Sequence, residues 1–380
     1  MKEHVHYFDH LRLMAAISVI YMHVAAGPLR LPICTDWQII NVFTCIGFTA
    51  VPLFFMMSGY LLLSNQKTEN IDILFKKRIP KLVIPLMGWT IVALLWFFLF
   101  DKSPANFFEK LIASFKTPAY VHFWYVYTLV ALYIISPLLC AALRTLNKKA
   151  HILIFIIAII PSVQYILQVF LPPSFDRFID FDIISKLTFL DGHLNTFILG
   201  YYIGALKKKI PNSILIISGG LLIALISFGT YYLTAKNGFF DQTFQVQSQG
   251  FEVLLAAIIF ILFKQNFNKE SKFYKKVPII PLALSVYFMH NILLSVMSYI
   301  MPAFFPITTF FGTVFITLLN LLICFITMKT VATVKPICYL ATGIPYKSAC
   351  ESCNWIYTYN KIKVQFSNSS KCDISKKENH

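Results

Sequence analysis

Ten times along this chain an apolar run approaches the length of a bilayer crossing. The runs fall at 8–26, 37–64, 79–100, 121–143, 150–170, 188–206, 212–235, 248–264, 278–301 and 307–333, bounded by Pro, Gly and clusters of charge. A helix of about twenty apolar residues spans a hydrocarbon core about 30 Å thick. Nothing else in the sequence constrains the fold as much, because a chain in hydrocarbon must satisfy its own backbone N–H and C=O groups, and a helix does so segment by segment. The expected fold class is all-α, a polytopic integral membrane protein with about ten transmembrane helices. Composition agrees, since 57% of the residues are hydrophobic and only 13% are charged, against roughly 25% charged in soluble domains.

The net charge of +16 reads as topology, and no nucleic-acid partner is expected. With the N-terminus in the cytoplasm, the even-numbered loops carry sixteen Lys and Arg, in clusters such as Lys76, Lys77, Arg78 and Lys81, while the odd-numbered loops carry seven. This bias predicts an N-in, C-in orientation; removing one span would scatter the clusters over both sides. The first run begins close behind Met1 and Lys2 without a small-residue cleavage signature, so an uncleaved anchor is expected. Residues 1–336 read as one membrane domain. Residues 337–380 read as a polar, Lys-rich cytoplasmic tail, loosely ordered and without a repeat.

Ionisable side chains inside spans are costly in hydrocarbon, which makes them functional candidates. The first span, YFDHLRLMAAISVIYMHVAAG, holds Asp9, Arg12 and His23. Arg12 and His23 lie eleven residues apart, about three turns, so they share one helix face roughly 16 Å apart along the axis. Two readings stand. In one, Arg12 snorkels to lipid phosphates with Asp9 as its local partner, and His23 packs. In the other, Arg12 meets an anionic donor and His23 serves as base or acyl acceptor, since histidine titrates near the operating pH.

His122, at the start of the fourth span, and His290, about midway along the ninth, fall at a depth similar to that of His23, so three helices can bring three histidines together. An interfacial role beside Trp124 for His122, and a packing role for His290, remain as alternatives. The segment FKKRIPKLVIPL offers Lys77 and Arg78 either as topogenic charge or as a phosphate clamp with Arg12. Ser58 and Gly59 in FFMMSGYLLL fall near the same rim, where glycine permits close approach of a ligand arm. Glu252, Asp191 and His193 are weaker candidates for binding acceptor hydroxyls, with exposure at the membrane interface as the competing reading.

Cysteines follow no disulfide framework; Cys350 and Cys353, with Cys338 and Cys372, offer a zinc set that the spacing supports poorly, and no metal site is expected. The absence of a Walker loop, a dinucleotide fingerprint and a G-x-S-x-G elbow argues against ATP-driven transport and serine hydrolysis. Intramembrane Arg and His also mark transport paths, so a transporter or flippase of a glycan or acylated metabolite is the rival class. Against it, the chain shows no internal repeat.

Taken together, Arg12-x10-His23, VPLFFMMSGYLL, KKRIPKLVIPL, HFWYVYTLVALYIISPLL and the closing SVYFMH resemble, in order, the membrane-bound acyltransferase-3 family, over residues 5 to about 335. Residues 51–63 and 119–139 look most like its glycan O-acetyltransferase members. The resemblance implies a ten-helix fold in the bacterial inner membrane and acetyl-CoA or a related acyl-CoA as donor, with no permanently bound cofactor. It implies as acceptor a hydroxyl of a surface polysaccharide or lipid-linked glycan precursor. It carries His23 over as the catalytic residue and Arg12 as the donor-side residue, and His122 matches its aromatic-flanked fourth-span block. His290 sits in the closing block.

Overall fold

The computed structural model describes residues 4–100, 107–172, 174, 192–247 and 249–361, and among these it holds helices and no strand. Asp191, Cys372 and the rest of the tail from residue 362 lie outside the described residues. The principal helices are α1 (Tyr7–Ala25), α2 (Thr35–Phe48), α3 (Ala50–Leu63), α4 (Pro80–Phe100), α5 (Phe107–Ala113), α6 (Trp124–Thr145) and α7 (Lys148–Phe170). There follow α8 (His193–Ala205), α9 (Asn212–Asn237), α10 (Gly250–Asn266), α11 (Ala283–Ile300), α12 (Phe310–Val331), α13 (Lys335–Thr342) and α14 (Tyr346–Ser352).

Seven helical stretches among the described residues are long and apolar enough to cross a membrane: Thr35–Leu63, Ile71–Phe100, Val121–Thr145, Lys148–Phe170, Asn212–Asn237, Ile280–Ile300 and Phe310–Val331. They coincide with seven of the ten runs expected from sequence. The other three expected runs contain α1, α8 and α10, which fall short by that measure. Helix α1 carries Asp9, His10, Arg12 and His23, α8 has 13 residues and α10 has 17. All three are interior helices. Their neighbours, not lipid, cover them: α1 packs against α2, α3, α10, α11 and α12, and α8 against α3, α7 and α10.

The outer helices show the reverse pattern. On α12, Phe311, Phe315, Leu318, Leu322 and Ile326 form an exposed stripe at helical spacing, and on α9 Ile217, Leu221, Leu225 and Phe228 do the same. Apolar faces of that extent are not left against water in soluble proteins; they are the faces a bilayer covers. The break between α2 and α3 at Thr49 has a local cause. Pro52 lacks the N–H that would bond the Phe48 carbonyl, and its ring crowds that group.

The closest pair in the bundle is α3 with α8, and glycine makes it possible. A Cβ on Gly59 would strike the backbone of Phe197, and one on Gly200 would strike the backbone of Met56. Gly200 and Gly204 together form a G-x-x-x-G stripe on α8, the small-residue spacing that lets helix backbones approach in membranes. This motif escaped the sequence reading, which had considered Gly59 for ligand approach.

The chain from Cys338 to residue 361 departs from the loosely ordered extension expected of it. Helices α13 and α14 dock on the bundle, with Cys338, Ala349, Cys353 and Asn354 fully buried. The Trp89 indole N–H donates to the Ala341 carbonyl at 2.9 Å, and Asn354 donates to the Ala332 carbonyl at 3.2 Å. The Lys329 ammonium stands 3.9 Å from the ring centroid of Trp355. Lysine count misled here, because the side chains that anchor the segment are scattered small, sulfur and aromatic residues that make no apolar run.

Gly200→Ala is expected to destabilise the purified protein by about 1–3 kcal/mol through overpacking. Gly220→Ala, at a helix position where an added Cβ meets nothing within 4 Å, should be neutral or mildly stabilising. Thermal unfolding in detergent compares the two, and equal midpoints would show that the α3–α8 contact is looser than described.

Candidate active site

Helix α1 runs through the centre of the bundle and connects two cavities. Near its start, Arg12 lines a cavity of about 610 Å³ together with Ser58, Arg78, Lys81, Tyr125, Tyr133 and Tyr287. Near its end, His23 lines a cavity of about 500 Å³ together with Asn291, Ser295 and Ser298. The one-face placement expected from the eleven-residue spacing thus corresponds to two chambers on one helix.

Between them three imidazoles meet. The His23 ring centroid lies 5.8 Å from that of His122 and 5.0 Å from that of His290, and the latter two are 4.7 Å apart. His122 sits on the short turn Val121–Phe123 that opens α6, while His290 sits midway along α11. His122 and His290 are buried and His23 is half-buried at the chamber wall.

Hydrogen-bond partners assign the tautomers. His290 Nδ1 lies 2.5 Å from the Tyr287 carbonyl oxygen, so Nδ1–H donates there and Nε2 keeps its lone pair. That Nε2 is buried with no hydrogen-bond partner. His122 Nε2 lies 3.3 Å from the Phe288 carbonyl oxygen and donates to it, which leaves Nδ1 to accept from the Asn291 amide at 3.4 Å. Each ring is held from behind, with a basic nitrogen left for the cluster or its immediate polar neighbour.

Tyr287 joins the cluster to the larger cavity. It lines that cavity, and its hydroxyl donates to the His122 carbonyl. Its ring lies 5.5 Å from that of Tyr125, whose hydroxyl shares a hydrogen bond with Ser58. On the other side, Asn291, Ser295 and Ser298 follow one face of α11, and the Tyr120 hydroxyl lies 2.7 Å from Ser295 Oγ. Besides His23, the polar side chains lining the smaller cavity are Asn291, Ser295 and Ser298, set among apolar neighbours such as Val24, Leu294, Phe305 and Ile307, and it carries no lysine or arginine. The larger one carries three cations.

Those cations are held in different ways. An Asp9 oxygen stands 3.6 Å from the Arg12 guanidinium, and a guanidinium nitrogen of Arg78 donates to Thr68 Oγ1 at 2.7 Å. The exposed Lys81 follows Arg78 by one turn and shares its face. Lys77 is exposed and is not among the residues lining the cavity. It precedes Arg78 on the π-helical stretch Leu74–Arg78 and so points elsewhere. Ser58 lines the cavity, but the next residue, Gly59, is turned away from it onto Phe197, so its lack of a side chain serves helix packing and not ligand approach.

The weaker candidates separate from this site. Glu252 is fully buried at the start of α10, with neither carboxylate oxygen hydrogen-bonded, rather than exposed at an interface. His193 is buried against Trp124 and Phe55, with ring centroids 4.9 and 4.7 Å away. Among the described residues, Cys338, Cys350 and Cys353 form no group with metal-ligand spacing; His4, His6 and Asp9 do, with His4 Nε2 2.7 Å from Asp9. Sequence reasoning also passed over Tyr125, Tyr287 and Asn291. Neutral side chains on apolar helices carry no signal until a neighbouring helix shows what they face.

A family model described as an acyltransferase domain, that of the acyltransferase-3 family, matches residues 5–329. Neither a curated protein nor a solved structure matches the chain. The matched span takes in Arg12, Arg78 and the three clustered histidines, together with the apolar helices that surround them. This chain belongs to the acyltransferase-3 family and is a multi-pass membrane acyltransferase.

Proposed function

We propose that the protein moves an acetyl or other short acyl group from acyl-CoA to a hydroxyl of a surface polysaccharide or lipid-linked glycan precursor, as enterobacterial common antigen O-acetyltransferase-like members of the family do. One observation carries this reading: the three-histidine cluster borders a smaller cavity through His23, among Asn291, Ser295 and Ser298, and is tied to a cation-bearing cavity through Tyr287, which lines that cavity and donates to the His122 carbonyl. The two chambers suit substrates of opposite character, a polyanionic donor on one side and an uncharged polyol on the other.

In this reading the donor phosphates rest on Arg12, Arg78 and Lys81 at the cytoplasmic rim. The pantetheine arm extends past Ser58, Tyr125 and Tyr287 towards the histidines. His23 faces the acceptor cavity and acts as the general base. It takes the acceptor hydroxyl proton as the oxygen bonds to the thioester carbonyl carbon; the C–S bond then breaks, and the leaving thiolate receives the proton. His290, with its unpartnered Nε2, and His122 hold His23 and the acceptor in register. The orientation with the Arg12 end in the cytoplasm, under ten spans, rests on the Lys and Arg bias of the loops.

Membranes bearing the wild-type protein and supplied with radiolabelled acetyl-CoA are expected to label envelope glycans, and His23→Ala to reduce labelling by about 10²-fold or more at unchanged protein abundance. Absence of label from any acyl-CoA, with folded wild-type protein present, would favour transport of a glycan or acylated metabolite instead. A second comparison separates two neighbouring lysines. Lys81→Gln should raise the donor KM about fivefold with kcat retained, as expected for loss of one phosphate contact. Lys77→Gln should leave both unchanged. Equal effects of the two would remove the phosphate role of the Arg78–Lys81 face.

A further inference from the structure

The cavity that carries Arg12, Arg78 and Lys81 is completed by chain that lies beyond the family match, which stops at residue 329. Thr342, Gly343, Ile344, Pro345 and Ser348, from the end of α13 to the first turn of α14, supply one of its walls. We propose that this segment is part of the donor-binding site, and that its Thr342–Ser348 turn sits against the phosphate-bearing end of the donor and sets which donors fit. The inference rests on the acyl-CoA reading of that cavity.

Two features place the turn at the cationic end. Gly343 closes α13 with φ +67°, in the left-handed region that suits glycine, and a Cβ there would strike the carbonyl of Lys81. The segment thus lies backbone to backbone on the residue that carries one of the three cations. Next to it, the Trp89 indole holds the Ala341 carbonyl at 2.9 Å, so the turn is fixed to α4 at its left-handed bend and just before it.

The turn is also shaped internally and leaves one hydroxyl over. Thr342 donates to the Cys338 carbonyl at 2.6 Å and accepts from the Ile344 N–H at 3.1 Å, so its hydroxyl is engaged in holding the bend. Ser348, one turn into the next stretch, is exposed at the cavity wall. Behind it Ala349 and Cys353 are fully buried, and Trp355 is pinned by Lys329 and by a 3.0 Å hydrogen bond to Thr330. A rigid backing with a small polar residue at the lip makes a wall whose shape decides fit. A loose tail could not hold that shape against a ligand.

The test is equilibrium binding of coenzyme A to the full-length protein purified in detergent, with the unliganded unfolding midpoint measured alongside. Ser348→Trp, which projects bulk into the cavity from an exposed position, is expected to weaken binding about tenfold at an unchanged midpoint. Ser348→Glu adds far less bulk than Trp at this exposed position and covers the case in which the Trp variant unfolds. It should weaken binding at low salt and recover as salt rises, because the added charge opposes the donor phosphates and is screened. Wild-type binding retained by both Ser348→Trp and Ser348→Glu overturns the proposal while leaving the donor reading intact. Failure of folded wild-type protein to bind coenzyme A removes the donor reading, and this proposal with it.

Discussion

An arginine and a histidine on one helix of a membrane protein are tolerated only where other helices screen them from lipid, and this requirement organises the bundle. Exposed to hydrocarbon, each ionisable group on α1 costs several kcal/mol. Surrounded by α2, α3, α10, α11 and α12, the same groups find Asp9 beside Arg12 and two further imidazoles beside His23. The helix least suited to lipid therefore takes the central place, and the long apolar helices α7, α9 and α12 take the periphery. Glu252 on α10 is likewise kept from lipid; it is fully enclosed close to Cys45, to which Gln245 donates at 3.5 Å.

Placement of α1 is only half of the arrangement, because the cavity beside Arg12 needs a wall of defined orientation. Glycines at the α3–α8 contact bring those backbones together, and this fixes the rotation of α3. With Gly59 turned onto Phe197, Ser58 is turned into the cavity one residue away. On the opposite wall Tyr287 belongs to the cavity lining and to the hydrogen-bond frame of His122 at once. A ligand that displaced Tyr287 would be felt by the histidines through a single side chain.

Much of this was legible from one dimension of information. Apolar runs near bilayer length, the spacing of Arg12 and His23, and the similar depths of His122 and His290 all follow from counting residues along helices, because rise and turn per residue are constant. The misreadings have equally physical origins. Lys77 and Arg78 are adjacent in sequence, but neighbours on a helix point about 100° apart, so only one of them reaches the cavity. The same angle separates Ser58 from Gly59. Residues 338–361 look like a solvated tail because no run of apolar residues advertises the isolated side chains that dock them.

The sequence by itself determined that the chain enters a membrane as helices, which residues are too polar to face lipid, and which of them share a face. It did so because those properties are local, governed by helix geometry and transfer energies that act residue by residue. Tertiary structure alone decided that three histidines from three separate segments close to within 6 Å of one another, that a cavity with three cations and one without any lie along the same helix, and that the C-terminal segment walls the first of them. Those outcomes depend on which helix packs against which, and in lipid that choice is made by shape at contacts such as Gly59 with Phe197, where no gradient of hydrophobicity along the chain can announce it.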